Sequence, residues 1–147
     1  TPGIETETLG DDEFLFVGPS NHPLSKANAV RPEDLAGEDL LLLEDGHCLR
    51  DHAVSVCALS SARDGSDIGA TSLATLVQMV AGGLGVSLLP RIAADTVTAG
   101  VDVAVRRFET PVIGRQIGIA WRAGSSHRHD AKLIGEIVRK VLRRKKP

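Results

Sequence analysis

The chain has no apolar run long enough to cross a bilayer, and it shows no signal peptide. We therefore expect a cytoplasmic protein without a membrane partner. Its net charge is only −2, which argues against direct binding of nucleic acid by this chain. The first residue is not an initiator methionine, so we expect a processed or cut fragment. With 147 residues it is long enough to bury a real core.

Cysteine is also scarce, since the chain contains only Cys48 and Cys57. Neither residue has partners at the spacing of a zinc site, and we expect no metal and no cofactor. In a cytoplasmic protein static disulfides are rare, and bridges that form are usually transient or sensory. Two buried structural cysteines are the alternative interpretation, because free cysteine is among the most buried residue types.

The spacing of the two cysteines conflicts with a disulfide across a helix. Asp45 is a natural N-cap for a helix that runs through Cys48 towards Cys57. Over nine helical residues the chain rises about 13.5 Å and the thiols point to opposite faces, whereas a disulfide needs Cα atoms within about 7 Å. Helix and bridge exclude each other. If both form, the segment is a two-state element controlled by oxidation.

Cys48 is the candidate reactive thiol. Only the thiolate of a cysteine attacks, and a helix N-terminus and nearby cations favour that anion. Cys48 falls in the first turn of the predicted helix, with His47 before it and Arg50 after it. Cys57 lies at the far end of the helix, where it could resolve an oxidised Cys48.

The chain alternates strand-like and helix-like segments, which predicts an α/β fold. A helix is predicted from Leu73 to Gly82, because the preceding Ala70-Thr71-Ser72 is a capping sequence and apolar residues follow at helical spacing. Strands are predicted at 13–17, 40–43, 86–89, 101–105 and 116–121, a single helical turn at 32–37, and further helices at 91–95 and 128–144. The last strand and the last helix form an apolar pair with nothing obvious upstream to pack against.

Two stretches, LEDGHCLRDHAVSVC and ATSLATLVQMVAGGLGVSLLP, resemble the peroxide-sensing members of the LysR-type transcription regulator family. The Gly46-His47-Cys48 signature, with a second cysteine nine residues later, is specific to those members. The second stretch is shared with LysR-type effector domains generally. The resemblance covers roughly residues 10 to 142. It implies an α/β effector domain that resembles the lobes of type 2 periplasmic-binding proteins.

The resemblance also implies a domain organisation and a set of partners. Residues 11–116 would form the second regulatory lobe, and residues 117–147 the C-terminal strand and helix of the first lobe. The winged helix-turn-helix of the family is absent from this chain. The implied protein is a regulator and not an enzyme. Its partners would be hydrogen peroxide, further copies in a homodimer or tetramer, and promoter DNA and RNA polymerase through the missing part.

Individual residues match the family's sensor site. Cys48 matches the peroxidatic cysteine and Cys57 the resolving cysteine, so the resemblance implies a reversible disulfide between them. His47 matches the neighbour that helps to bind peroxide. Arg115 matches an arginine near the sensor thiol, and the alternative is an ordinary surface arginine.

Thr71 and Ser72 fall where LysR-type domains place hydroxyls at the effector cleft, and the alternative is simple N-capping of the following helix. The other histidines have no ligand-like grouping and are interpreted as surface residues: His22, His52, His127 and His129.

Two other functions compete with peroxide sensing. The first is a LysR-type effector domain that binds a small organic anion in the cleft between the lobes, without redox sensing. The second is a thiol peroxidase, but the chain lacks the Pro-x-x-x-Thr-x-x-Cys arrangement of peroxiredoxins.

Overall fold

The computed structural model describes residues 3–44, 63–64 and 69–144. The chain divides into two compact units. Unit 1 contains Thr1–Asp12 and Arg115–Pro147, and unit 2 contains Glu13–Gly114. None of the helices in the described part of the chain is both long and apolar enough to cross a membrane.

The described residues form strands and helices in alternation, as an α/β fold requires. The strands are β1 Ile4–Pro19, β2 Ala29–Val30, β3 Asp39–Leu40, β4 Arg63–Asp64, β5 Ser87–Pro90, β6 Val103–Phe108 and β7 Gly114–Arg122. The α-helices are α1 Leu73–Ala81, α2 Arg91–Val97 and α3 Arg128–Arg144. Short 3₁₀ helices lie at Pro23–Lys26 and Pro32–Leu35.

The sheet of unit 2 is built around the second half of β1. The strand order is β2-β6-β1-β5, and β1 is antiparallel to both of its neighbours, with Phe16 opposite Leu88 on β5 and Arg106 on β6. Phe16 and Val17 are completely buried and belong to two different apolar clusters. Because neighbouring residues of a strand point to opposite faces, the sheet has a core on each side.

Helix α1 forms as its sequence predicts. Ser72 is the N-cap, and its side chain accepts a hydrogen bond from the Thr75 N–H. The buried residues Leu76, Val77 and Val80 form one stripe that packs into the unit 2 core, and Gly82 ends the helix. The prediction of a helix between the Ala70–Ser72 cap and the glycine pair is therefore confirmed.

Other predicted elements have shifted ends. The strand predicted at 101–105 is β6, which begins at Val103, because its partner β1 ends opposite that residue at Pro19. The helix predicted at 91–95 is α2, which continues to Val97. In the apolar run Leu40–Leu43 all four residues are buried.

Unit 1 contains the first half of β1, which was not predicted as a strand. This half pairs with β7, and the Ala123 N–H donates to the Gly3 carbonyl at 2.8 Å. Helix α3 has the predicted ends and packs on these strands, where a Cβ added at Gly135 would lie 3.1 Å from Leu9. The expectation that the last strand and helix have no upstream partner is thus wrong, since residues 4–12 supply one.

Candidate functional site

The segment that carries both cysteines, residues 45–68, starts and ends at one place in unit 2. Leu43 and Ala70 form a parallel bridge. The Glu44 N–H donates to the Ala70 carbonyl at 3.1 Å, and the Ala70 N–H donates to the Leu42 carbonyl at 3.1 Å. Leu43 and Ala70 are only 6% and 1% exposed. Breaking buried hydrogen bonds of this kind is unfavourable, so the cysteine segment is attached to a firm base.

A second parallel pairing places a strand from the later part of the cysteine segment beside a strand that precedes the segment. Strand β4, within the cysteine segment, pairs with β3, so that Asp39 lies opposite Arg63 and Leu40 opposite Asp64. Leu40 also forms a parallel bridge with Val86 next to β5. The segment is therefore tied back to the unit 2 framework at β4 as well as at its base.

Gly69 allows the two ends of the segment to approach closely. A Cβ added at Gly69 would lie 2.8 Å from Cγ and 3.4 Å from Cα of Glu44. The first distance is shorter than side-chain carbons tolerate without movement of a neighbour. A larger residue at 69 would require the Glu44 side chain to move.

The central redox residues of the sequence prediction lie outside the described residues. This applies to His47, Cys48, Arg50 and Cys57, and also to His52 and the predicted helix from Asp45. Their roles stay predictions.

Thr71 and Ser72 directly follow the base of the cysteine segment. Both residues are exposed. The Ser72 hydroxyl accepts from the Thr75 N–H at 3.2 Å and lies 3.0 Å from the Thr75 hydroxyl. Capping by Ser72 is therefore confirmed, and an effector-cleft role for either residue stays a prediction.

Arg115, at the start of β7, is not an ordinary surface arginine. Its Nε–H donates to Oδ2 of Asp12 at 3.1 Å. The Asp12 side chain is 2% exposed and that of Arg115 is 21% exposed. Both residues belong to unit 1. The pair fixes the guanidinium by a charge-assisted hydrogen bond to a buried carboxylate.

Acidic residues on the first half of β1 meet cations of α3 in unit 1. Glu5 accepts a hydrogen bond from the Trp121 indole at 3.0 Å and lies 3.5 Å from Arg128. Glu7 accepts a hydrogen bond from Arg139. This hydrogen bond holds the pKa of Glu7 below its ordinary value. Ion pairs therefore attach the helix to the strand that the sequence did not predict.

The interpretation of His22 as a surface residue is wrong. Its side chain is 18% exposed. Its Nδ1 accepts from the Leu24 N–H at 3.3 Å, and its Nε2 lies 3.2 Å from Glu38. His127 and His129 are exposed, as predicted. Across the described ranges, no cluster of three or more His, Cys, Asp or Glu side chains is arranged to hold a metal ion.

Comparison with known proteins identifies the family. A family model for the LysR substrate binding domain matches residues 1–143. The chain belongs to the LysR substrate-binding domain family. A relative from Mycobacterium leprae, named as a probable hydrogen peroxide-inducible genes activator, is 41% identical over 143 residues, which are 94% of this chain and 46% of the relative. The chain thus spans about half the length of the curated relatives that it matches.

Solved structures agree with this assignment of the LysR substrate-binding domain. The reduced OxyR regulatory domain from Pseudomonas aeruginosa is 34% identical with a TM-score of 0.81, over 95% of this chain and 67% of that one. A cysteine-to-serine mutant of OxyR from Corynebacterium glutamicum, with hydrogen peroxide bound, is 29% identical with a TM-score of 0.88, over 99% of this chain and 47% of that one. The predicted LysR-type α/β fold and the predicted resemblance are confirmed.

The partner of Arg115 in this LysR substrate-binding domain was not predicted from the sequence. A run of acidic residues directly before an apolar strand was the available signal. Its members diverge in the fold: Asp12 pairs with Arg115, whereas the adjacent Glu13 pairs with Arg91 and, at 2.9 Å, with Arg107. Which carboxylate meets which cation depends on strand pairing, and local sequence does not encode that.

Proposed function

We propose that this chain is the redox-sensing part of a LysR-type transcription regulator, which hydrogen peroxide activates through a reversible Cys48–Cys57 disulfide. The observation that carries the proposal is the base of the cysteine segment, where Leu43 and Ala70 are bridged. A bond formed between the two cysteines can reshape the segment while this base stays closed. The similarity to hydrogen peroxide-inducible activators supports the same function.

The chemistry proceeds in two steps. The Cys48 thiolate attacks one oxygen of hydrogen peroxide and the O–O bond breaks, giving Cys48 sulfenic acid and a hydroxide that takes up a proton to become water. The Cys57 thiol then displaces the sulfenic hydroxyl as a second water and forms the disulfide. Peroxide is the two-electron oxidant, and a cellular dithiol reductant returns the pair to thiols.

Three cationic or hydrogen-bonding residues support the first step in this proposal. His47 and Arg50, which neighbour Cys48 in sequence, favour its thiolate and help to bind peroxide. Arg115 contributes a positive charge held by Asp12. The leaving oxygen develops negative charge as the O–O bond breaks, and positioned donors stabilise charge of that kind.

The proposal extends to the whole regulator. The whole regulator acts in the cytoplasm as a homodimer or tetramer and has no catalytic turnover. It binds promoter DNA and RNA polymerase through parts outside this chain. The refolded cysteine segment changes the surface between subunits and thereby the geometry of bound DNA.

Mass spectrometry of the chain before and after stoichiometric peroxide tests the proposal. We expect the loss of two hydrogen atoms and a linked Cys48–Cys57 peptide. Oxidation of the single methionine, Met79, would instead add one oxygen atom and is distinguished by mass. In a Cys57→Ser variant, a dimedone-type reagent should label Cys48. Label at another residue, or no label, would overturn the assignment.

The alternative is an effector domain that binds a small organic anion without redox sensing. Exposed hydroxyls of Thr71 and Ser72 at the start of α1 favour it. The Cys48→Ser/Cys57→Ser protein separates the two functions in a reporter assay. Loss of the response to peroxide supports sensing, whereas an intact response shows that the cysteines are not the signal.

A further inference from the structure

Helix α3 carries an exposed apolar stripe on the side that does not pack on the strands of unit 1. Its inner side is close to those strands, since a Cβ added at Gly10 would lie 3.2 Å from Cδ1 of Leu142 and one added at Gly135 would lie 3.1 Å from Leu9. The outer stripe consists of four side chains that are 47–62% exposed: Leu133, Ile134, Ile137 and Val141. Seven large apolar side chains are exposed among the described residues, and four of them lie here. Such a concentration marks an interaction surface.

The spacing of the outer stripe is that of a helix packed against another helix. Ile134, Ile137 and Val141 are three and four residues apart, and Asp130 precedes Ile134 by four. Residues at alternating steps of three and four line one side of a helix and interlock with the same pattern on a facing helix. The outer stripe therefore fits a second helix.

Charges at the two ends of the outer stripe select the direction of that helix. Asp130 lies at its start and Lys140 beside its end, and both are exposed. Asp130 also lies 3.2 Å from Nδ1 of His127, but its side chain is 64% exposed and is accessible to a second partner. In a parallel pair of α3 helices each charge would lie beside its own like. An antiparallel pair brings Asp130 of one helix towards Lys140 of the other and also opposes the two helix dipoles.

We propose that the outer stripe of α3 is a homodimer contact, in which α3 of a second copy packs antiparallel with a two-fold axis near Ile137. Ile137 is midway between Leu133 and Val141, so an axis there pairs Leu133 of each copy with Val141 of the other. The inference uses only residues of α3. It goes beyond the proposed redox function and does not depend on it.

The small size of the outer stripe sets the expected strength of the contact. Stable complexes use about 20–30 residues a side, whereas the outer stripe supplies four apolar side chains. We therefore expect a weak dimer whose population depends on protein concentration.

Disulfide cross-linking tests the contact and its direction. The background is Cys48→Ser/Cys57→Ser, which has no other thiol, and diamide is the oxidant. Ile137→Cys should form a covalent dimer by itself. Leu133→Cys alone and Val141→Cys alone should link slowly, because equivalent residues of the two copies are about 12 Å apart along the helix, whereas a disulfide needs Cα atoms within about 7 Å. A mixture of these two variants should link faster than either alone.

Charge reversal tests the two ends of the outer stripe. In sedimentation equilibrium, Asp130→Lys should raise the dissociation constant of the dimer about fivefold, the effect of an exposed charge pair. Asp130→Lys/Lys140→Asp should return towards the parent value, because opposite charges meet again. Lys132→Glu, at an exposed position on the other side of α3, is the matched control and should not change the dissociation constant. Melting curves ensure that each variant is folded.

Four results would overturn the proposal. The first is a monomeric parent, and the second is a Lys132→Cys protein that links as fast as Ile137→Cys. The third is same-site linkage of Leu133→Cys and Val141→Cys that the mixture does not exceed, which would show parallel helices. The fourth is loss of the Ile137→Cys cross-link in the full-length regulator, which would show that another part of the regulator covers the outer stripe. A cross-link that persists there would support the proposal.

Discussion

Leu43 is bridged to Ala70, so the two ends of the cysteine segment lie on neighbouring backbones in unit 2. Both residues are buried, and Leu43 belongs with Ala70 to the core cluster that also contains Val77 of α1. A rearrangement inside the segment does not have to stretch this core. If the proposed disulfide forms, we expect the change to be confined to the segment beyond this base.

Oxidation should therefore change the rate of amide hydrogen exchange within the cysteine segment but not at its base. If Cys48 and Cys57 are joined, a helix between them must unwind, because about 13.5 Å of helical rise has to shrink to about 7 Å or less. We expect faster exchange across residues 46–58 in the oxidised chain and unchanged protection of the Glu44 and Ala70 amides. Equal protection across 46–58 in both redox states would mean that no such switch exists.

The base should also be a stability determinant. Leu43 is 6% exposed, and truncation of a buried leucine to alanine costs about 2–5 kcal/mol. Urea denaturation of Leu43→Ala should show a loss of this size. The control Leu84→Ala, at a side chain that is 52% exposed, should stay within about 0.5 kcal/mol of the parent. Similar losses in both variants would contradict a special role for the base.

Substitutions at Ser72 can separate capping from a role in binding. Replacement of an N-cap serine by alanine costs about 1 kcal/mol, whereas glycine costs only a few tenths of that. We expect Ser72→Ala to melt clearly below Ser72→Gly, with Thr71→Ala close to the parent. If the Ser72 hydroxyl serves only as a cap, Ser72→Gly keeps the response to peroxide. If both Ser72 variants lose the response to peroxide equally, the Ser72 hydroxyl has a role in the effector cleft beyond capping.

The Glu7–Arg139 pair predicts a stability difference that depends on pH. Arg139 lowers the pKa of Glu7 from its ordinary value of 4.5, so the pair stabilises the fold above that value and the gain is lost as the pH falls through the folded pKa. Melting temperatures of the parent and Glu7→Gln should differ at neutral pH and converge in acid. In an Arg139→Gln background the difference should vanish at every pH. A difference in melting temperature that persists in acid would show that the charge of Glu7 is not its cause.

The outer face of α3 predicts self-association of the 147-residue chain. Four apolar side chains on this helix are between 47% and 62% exposed: Leu133, Ile134, Ile137 and Val141. Exposed apolar patches of this kind drive association. We expect concentration-dependent sedimentation of the parent, and a monomer for Ile134→Lys/Ile137→Lys. Glu136→Lys, which places a lysine on the same turn by reversing an existing charge, should behave like the parent. A monomeric parent would contradict the prediction.

Strong local signals explain which elements the sequence predicted. The cap at Ser72, the apolar stripe of α1 and the long stripe of α3 are encoded within a few residues of one another, and both helices were placed correctly. The spacing of Cys48 and Cys57 is a local signal of the same kind, and it indicates a candidate site without reference to any distant residue.

The first half of β1 could not be predicted in the same way. Its residues 4–8 alternate threonine or isoleucine with glutamate, and with Ile4 as their only apolar residue no apolar stripe marks a buried face. It becomes a strand because β7 pairs with it and because Arg128 and Arg139 of α3 meet its glutamates. Those partners are more than a hundred residues away in sequence, and the same is true of Arg115 and Asp12. Local sequence patterns therefore do not predict these contacts.

Trp121 gives the molecule an intrinsic optical signal. It is the only tryptophan, and the chain has no tyrosine, so the ultraviolet emission of the protein comes from this one indole. The indole donates to Glu5 within unit 1, whereas Cys48 and Cys57 fall in the residue range of unit 2. Emission therefore reports on the unit that holds neither thiol. A spectral change after peroxide would show, without any label, that oxidation alters the surroundings of an indole in the other unit.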